Sequence, residues 1–237
     1  MLDPRGKVIM ISGANRGIGA SFARRFHKEG WVVSLGGRNL SELQSSVADF
    51  KDERVSCHRY DTSDRNTDEQ WVSETIQQHG SIDALVNNAG VCHPQPLSEV
   101  TEEQLDEMWS VNVKAPLRII QASLPFLRSC GTGRIVNVVS LSGKRVKGTF
   151  GPGYAMSKHA ALALHHAVRH SEFDNGIRVT AICPGYVATD MTAQFGVDAS
   201  IMIDPDDLAE TVATLVRLPN TAAVAEILMT CEPEVLG

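Results

Sequence analysis

Tyr154 and Lys158 stand four residues apart, a spacing that on a helix puts both side chains on one face, one turn from each other. A phenol with the ordinary pKa near 10 carries protons poorly at neutral pH, and bringing it to about 7 takes roughly 4 kcal/mol. An ammonium about 4 Å away supplies an amount of that order at an effective dielectric of about 20. The pair therefore reads as a general acid/base for interconverting a carbonyl and an alcohol. Tyrosine and lysine at this spacing are also common on helices that do no chemistry, so the reading depends on what the chain sets beside them. Ser140 ends an apolar run 14 residues before Tyr154, and Ser142 follows as a second candidate hydroxyl.

A second cluster lies near the start. Ser12-Gly13-Ala14-Asn15-Arg16-Gly17-Ile18-Gly19 joins a short β-branched run to an amphipathic helical pattern. Gly13 permits a tight exit from a strand. Gly17 and Gly19 let backbone N–H groups approach a pyrophosphate at the positive end of a helix. No Gly-Lys-Ser/Thr follows, which excludes a nucleoside-triphosphatase loop. The next strand would end in Leu35-Gly36-Gly37-Arg38-Asn39. A carboxylate there would hydrogen-bond the ribose 2′-hydroxyl of NAD. Arg38 instead suits a 2′-phosphate, which a guanidinium binds bidentately, with Arg16 reaching it from the other side. This favours NADP(H), with NAD(H) as the alternative.

The elements that must position these groups alternate throughout. Strands are expected at Lys7–Ser12, Trp31–Leu35, Arg54–Tyr60, Ile82–Asn87, Arg134–Val139 and Ile177–Cys183, with an edge strand at Ala223–Met229. Helices are expected at Gly17–Glu29, Leu40–Lys51, Asp64–His79, Thr101–Leu127, Pro152–Phe173 and near Pro205–Leu218. Thr101-Glu-Glu-Gln104 fits a capping box, and Pro116 predicts a kink. The pattern is α/β: a doubly wound parallel sheet of Rossmann type with helices on both faces. With 237 residues and no linker or repeat, residues 1–237 read as one domain.

Composition narrows the partners. The net charge of −6 argues against nucleic acid. The charge is uneven: residues 1–60 hold 10 basic and 6 acidic residues, so the front of the chain suits a small anion. Five scattered cysteines without a C-x-x-C pair read as free thiols, and no stretch approaches 18 apolar residues. These features point to a cytoplasmic protein with no membrane partner. His166 and His170 share a helix face but lack a third ligand, so no metal site is expected.

Together these residues resemble the classical short-chain dehydrogenase/reductase family over nearly the whole chain. The glycine turn, Asn87-Asn88-Ala89-Gly90, Asn112, Ser140, Tyr154-x-x-x-Lys158 and Pro184-Gly185-Tyr186-Val187-Ala188-Thr189 match its motifs in order. The resemblance implies a catalytic tetrad of Asn112, Ser140, Tyr154 and Lys158. It implies cofactor contacts from Gly13, Asn15, Arg16, Gly17, Ile18, Gly19 and Arg38, and from Asp61 and Thr62 at the adenine. Asn88, Ala89, Gly90, Tyr154 and Lys158 follow, then Pro184, Gly185, Val187 and Thr189 at the nicotinamide end. Ser140, Ser142, His93, Tyr154 and Tyr186 would meet a small carbonyl or alcohol substrate. Met191, Phe195 and Met202 fall where the family has a mobile lid.

The resemblance further implies a homodimer or homotetramer. Less in keeping with it is a non-catalytic dinucleotide-binding regulator, which would have no need of the tetrad. Three cations after the serine, Lys144, Arg145 and Lys147, would suit an anionic substrate if they reach the pocket. Glu226–Cys231 lacks the family's usual Asp-Gly-Gly ending, a departure that falls on the expected edge strand.

Overall fold

The computed structural model describes residues 1–146, 148–149 and 151–232. Seven parallel strands form one sheet: β1 (Val8–Ser12), β2 (Val32–Gly37), β3 (Val55–Arg59), β4 (Ala84–Asn87), β5 (Arg134–Val138), β6 (Arg178–Pro184) and β7 (Glu226–Met229). Their spatial order is β3-β2-β1-β4-β5-β6-β7, so the chain reverses direction across the sheet between β1 and β4. A crevice at such a reversal is where ligands bind in this class of fold.

The helices are α1 (Gly17–Glu29), α2 (Leu40–Ser46), α3 (Asn66–His79), α4 (Glu102–Trp109), α5 (Ala115–Ser129), α6 (Pro152–Glu172), the short α7 (Asp190–Ala193) and α8 (Pro205–Val216). Strand residues alternate between two cores. Ile9, Ile11, Val86 and Val136 pack with Phe22 and Phe26 of α1 and Leu208 and Val212 of α8. Met10, Leu85 and Ile135 pack on the other face with Trp71, Ile119 and Val168. Burial on both faces explains why β1 is apolar throughout rather than alternating.

Several boundaries follow local chemistry. α1 has the limits its periodicity predicts, and Gly30 ends it with φ 102°, a conformation that glycine adopts without strain. α2 is shorter than expected, because buried Val47 and Phe50 turn the chain into the core after Ser46. The capping box closes both ways: Gln104 N donates to Thr101 Oγ1 and Thr101 N to Gln104 Oε1.

The expected helix over 101–127 is broken. A π-helical turn at Ser110–Lys114 separates α4 from α5. Pro116 has no N–H to give the Asn112 carbonyl, so the α-helical ladder cannot run through; α5 restarts with Pro116 in its first turn. The break falls at Asn112 itself. β7 pairs in parallel with β6, Glu226 beside Ala181, so the last strand forms without the Asp-Gly-Gly ending.

Candidate active site

The C-terminal ends of the strands open onto a cleft of about 850 Å³. From the first turn it is lined by Gly13, Asn15, Arg16, Gly17 and Ile18, and from the end of β2 by Gly37, Arg38 and Asn39. Thr62, Asn88, Ala89 and Gly90 continue the wall. Ser140, Tyr154 and Lys158 meet there with Pro184, Gly185, Val187 and Thr189. Motifs scattered over the sequence therefore share one cavity.

The first turn is held by hydrogen bonds across the reversal point. Ser12 Oγ accepts from the backbone N–H groups of Asn88 and Ala89, each at 3.0 Å. Asn88 Nδ2 donates to the Ser12 carbonyl at 3.0 Å and the Gly13 carbonyl at 3.1 Å. Gly13 and Gly17 adopt φ of 66° and 56°. The first turn of α1 carries no acidic residue and its N-cap, Arg16, makes no capping bond. Its N–H groups thus present uncompensated positive charge, a donor set that fits a pyrophosphate.

Gly19 does not line the cleft. A Cβ on it would fall on the Gly13 carbonyl, so its work is to let α1 pack against the turn. Gly19→Ala should destabilise the protein by roughly 1–3 kcal/mol. Thermal unfolding checks this; an unchanged Tm would contradict it.

Arg38 stands exposed at the cleft edge, and a Cβ on Gly37 would fall on the Asn15 side chain. The end of β2 thus offers a guanidinium and carries no carboxylate in Gly37-Arg38-Asn39. Arg16 also lines the cleft, and its exposed Nη1 pairs with Asp190 Oδ2 of α7 at 2.9 Å. Asp61 is off the cleft, its Oδ1 accepting from Ser63 N, and Tyr60 lines the wall beside Thr62 instead.

At the other end, Leu141–Gly143 form a tight 3-10 turn capped by Ser140, whose Oγ accepts from Ser142 N at 3.1 Å. A Cβ on Gly143 would meet the Lys158 carbonyl, so this turn is pressed onto α6. Ser140 lines the cleft and Ser142 does not.

Lys158 Nζ donates to the Val138 carbonyl at 2.9 Å and lies 5.6 Å from the centre of the Tyr154 ring. Asn112 Nδ2 donates to the Val91 carbonyl at 2.9 Å and to Ser157 Oγ at 3.0 Å, while its Oδ1 accepts from Val91 N. Behind Lys158, Asn87, Asn112 and Asn137 line a water-sized cavity. Asn87 Nδ2 donates to Asn137 Oδ1 at 2.8 Å, and Asn87 Oδ1 is buried without a partner. In the sequence Asn87 stood out only as a motif position. Buried asparagines at the ends of adjacent strands were the available signal.

The electrostatics correct one expectation. Burial raises the Tyr154 pKa above its ordinary value, the Cys92 thiol adds to that, and a hydrogen bond with Ser140 acts the other way. Burial likewise pushes Lys158 down to about 8. The arithmetic of an ammonium beside a phenol omitted the desolvation of both groups, which here outweighs their attraction.

On the substrate side His93 lines the cleft, with its Nε2 2.7 Å from Glu107 Oε2. Tyr186 does not line it; its ring packs near Phe195, 6.0 Å between centroids. Met191, Thr192 and Gln194 line the mouth. Lys144 is taken up by Glu226 at 2.7 Å, and neither it nor Arg145 lines the cleft. Lys147 lies outside the described residues. His166 pairs with the other oxygen of Glu226 at 3.1 Å.

The family model for short chain dehydrogenase matches residues 7–199. Agropine synthesis reductase of Rhizobium rhizogenes is 38% identical over 96% of the chain, and the chain spans 53% of that relative's length. An alcohol dehydrogenase of Thermococcus sibiricus, solved with 5-hydroxy-NADP, superposes with a TM-score of 0.89 at 29% identity, covering 97% of this chain and 99% of its own. A 3-ketoacyl-(acyl-carrier-protein) reductase of Brucella melitensis, solved with NADH, gives 0.90 at 26% identity, covering 98% and 99%. The matched sequence model and the shared sheet lead to one conclusion: this chain belongs to the short-chain dehydrogenase family.

Proposed function

We propose that the chain is an NADP(H)-preferring oxidoreductase that interconverts a ketone or aldehyde with its alcohol. The observation that carries this reading is the meeting of Ser140, Tyr154 and Lys158 in the cleft that begins at the glycine turn. The nicotinamide of the bound cofactor supplies or takes up the hydride. The chain's own residues do the rest. Backbone N–H groups of α1 hold the pyrophosphate. Ser140 donates a hydrogen bond to the substrate oxygen. The Tyr154 hydroxyl gives that oxygen a proton in reduction and takes one back in oxidation. Lys158 binds ribose hydroxyls and sets positive charge near the phenol. Asn112 holds the loop at Val91 and so the wall facing Lys158.

Lys158, buried and paired with no carboxylate among the described residues, supports this assignment. A lysine kept in such a place without a carboxylate is costly to the fold and useful to a proton-transfer site. The test is NADPH and NADH oxidation against a panel of carbonyl compounds. Turnover with NADPH favoured supports the reading; tight cofactor binding with no turnover of any compound overturns it.

The cofactor preference rests on Arg38. Arg38→Ala should raise KM for NADPH about 10- to 100-fold, the worth of a charge-assisted hydrogen bond, and change KM for NADH little. Equal effects on both cofactors would contradict the assignment.

A further inference from the structure

At its reacting end the cleft holds a close-contact pair that the proton chemistry does not use. His93, in the loop after Gly90, and Glu107, on α4, line the cleft with Ser140 and Tyr154. α4 packs against α6 beside the phenol: a Cβ on Gly153 would meet the side chains of Met108 and Leu105. Glu107 therefore belongs to the helix that walls the reacting end.

The pair has a definite polarity. His93 Nε2 and Glu107 Oε2 are 2.7 Å apart. A carboxylate that takes one imidazole N–H keeps its second oxygen as a charged acceptor, and the Glu107 side chain is 47% exposed. Two cations that could have favoured an anion are paired, and Arg38 stands at the β2 end of the cleft. Arg16 pairs with Asp190, and Lys144 pairs with Glu226 away from the cleft.

We propose that His93 and Glu107 form a substrate-recognition pair, selecting a carbonyl compound that carries hydroxyl or ammonium donors and disfavouring one that carries a carboxylate. This rests on the proposed carbonyl–alcohol activity and names its substrate class. A donor on the substrate satisfies the free Glu107 oxygen. A hydrocarbon isostere strips water from that oxygen and returns nothing, and a carboxylate meets like charge.

The test is kcat/KM with NADPH for erythrulose, diethyl ketone and levulinate, in the wild type, Glu107→Ala and His93→Ala. The wild type is expected to prefer erythrulose and to use levulinate least. In Glu107→Ala the preference for erythrulose over diethyl ketone should fall at least about tenfold, through KM more than kcat. His93→Ala should shift it in the same direction, because the carboxylate loses the imidazole that orients it. An unchanged preference in both variants, or levulinate as the best wild-type substrate, overturns the recognition pair while leaving the activity standing. Turnover of none of these and of no other carbonyl overturns the proposed activity, and the recognition pair with it.

Discussion

Tyr154→Phe is expected to lower kcat by about 10²- to 10⁴-fold while NADPH binds as in the wild type. That range is what a positioned general acid/base contributes. The substitution removes one oxygen from a half-buried ring that lines the cleft and leaves the ring itself. Ser140 keeps its bond from Ser142 N, and Lys158 keeps its bond to the Val138 carbonyl, so the site's frame is unaltered. Steady-state rates and cofactor fluorescence on the same sample separate chemistry from binding. A variant within a few-fold of wild-type kcat would remove Tyr154 from the reaction.

Lys158→Met should split activity from stability. Turnover is expected to fall by about as much as in Tyr154→Phe, since the positive charge near the phenol is gone. The fold, without cofactor, should gain. Lys158 is 5% exposed, and burial brings its pKa to about 8, below the unfolded value near 10.4. Between those values the unfolded chain binds more protons than the folded one, so wild-type stability rises with pH across that window. Below pH 8 the buried ammonium carries its full penalty, of the order of 3 kcal/mol. Losing the bond to the Val138 carbonyl returns about 1 kcal/mol. At pH 7 the variant's Tm should therefore exceed that of the wild type by several degrees. Thermal unfolding at neutral and alkaline pH checks this. A lower Tm together with an unchanged pH dependence would contradict it.

Much of this was legible because short motifs carried local physics. The glycine turn had to be a turn, since Gly13 and Gly17 take left-handed conformations there. The alternation of β-branched runs with helical periods fixed the parallel sheet, and Gly30 marked the end of α1. What stayed hidden depended on tertiary contact. Pro116 announced a kink but not that Asn112 would sit in a π turn. The cations after Ser140 suited a substrate only if they reached the pocket, and Glu226, 82 residues beyond Lys144, gave no sign that it would pair with it. The resemblance preferred Ser140 over Ser142, and the turn at Leu141–Gly143 puts only Ser140 on the cleft. Glu107 lies in no motif, and only the packing of α4 brings it to His93. Burial, which raises the Tyr154 pKa in the free protein, is not a property of spacing.

That last point sets the decisive experiment. Burial within the protein raises the Tyr154 pKa, so the proposed chemistry needs the cationic nicotinamide and the Lys158 ammonium to bring it down in the complex with NADP⁺. The chain has three tyrosines, and the ultraviolet difference between the wild type and Tyr154→Phe isolates the phenolate of one. With NADP⁺ bound, that phenolate should appear with a pKa well below the ordinary value of about 10; in the free protein it should not. A Tyr154 that stays protonated past pH 10 with NADP⁺ bound would contradict the account.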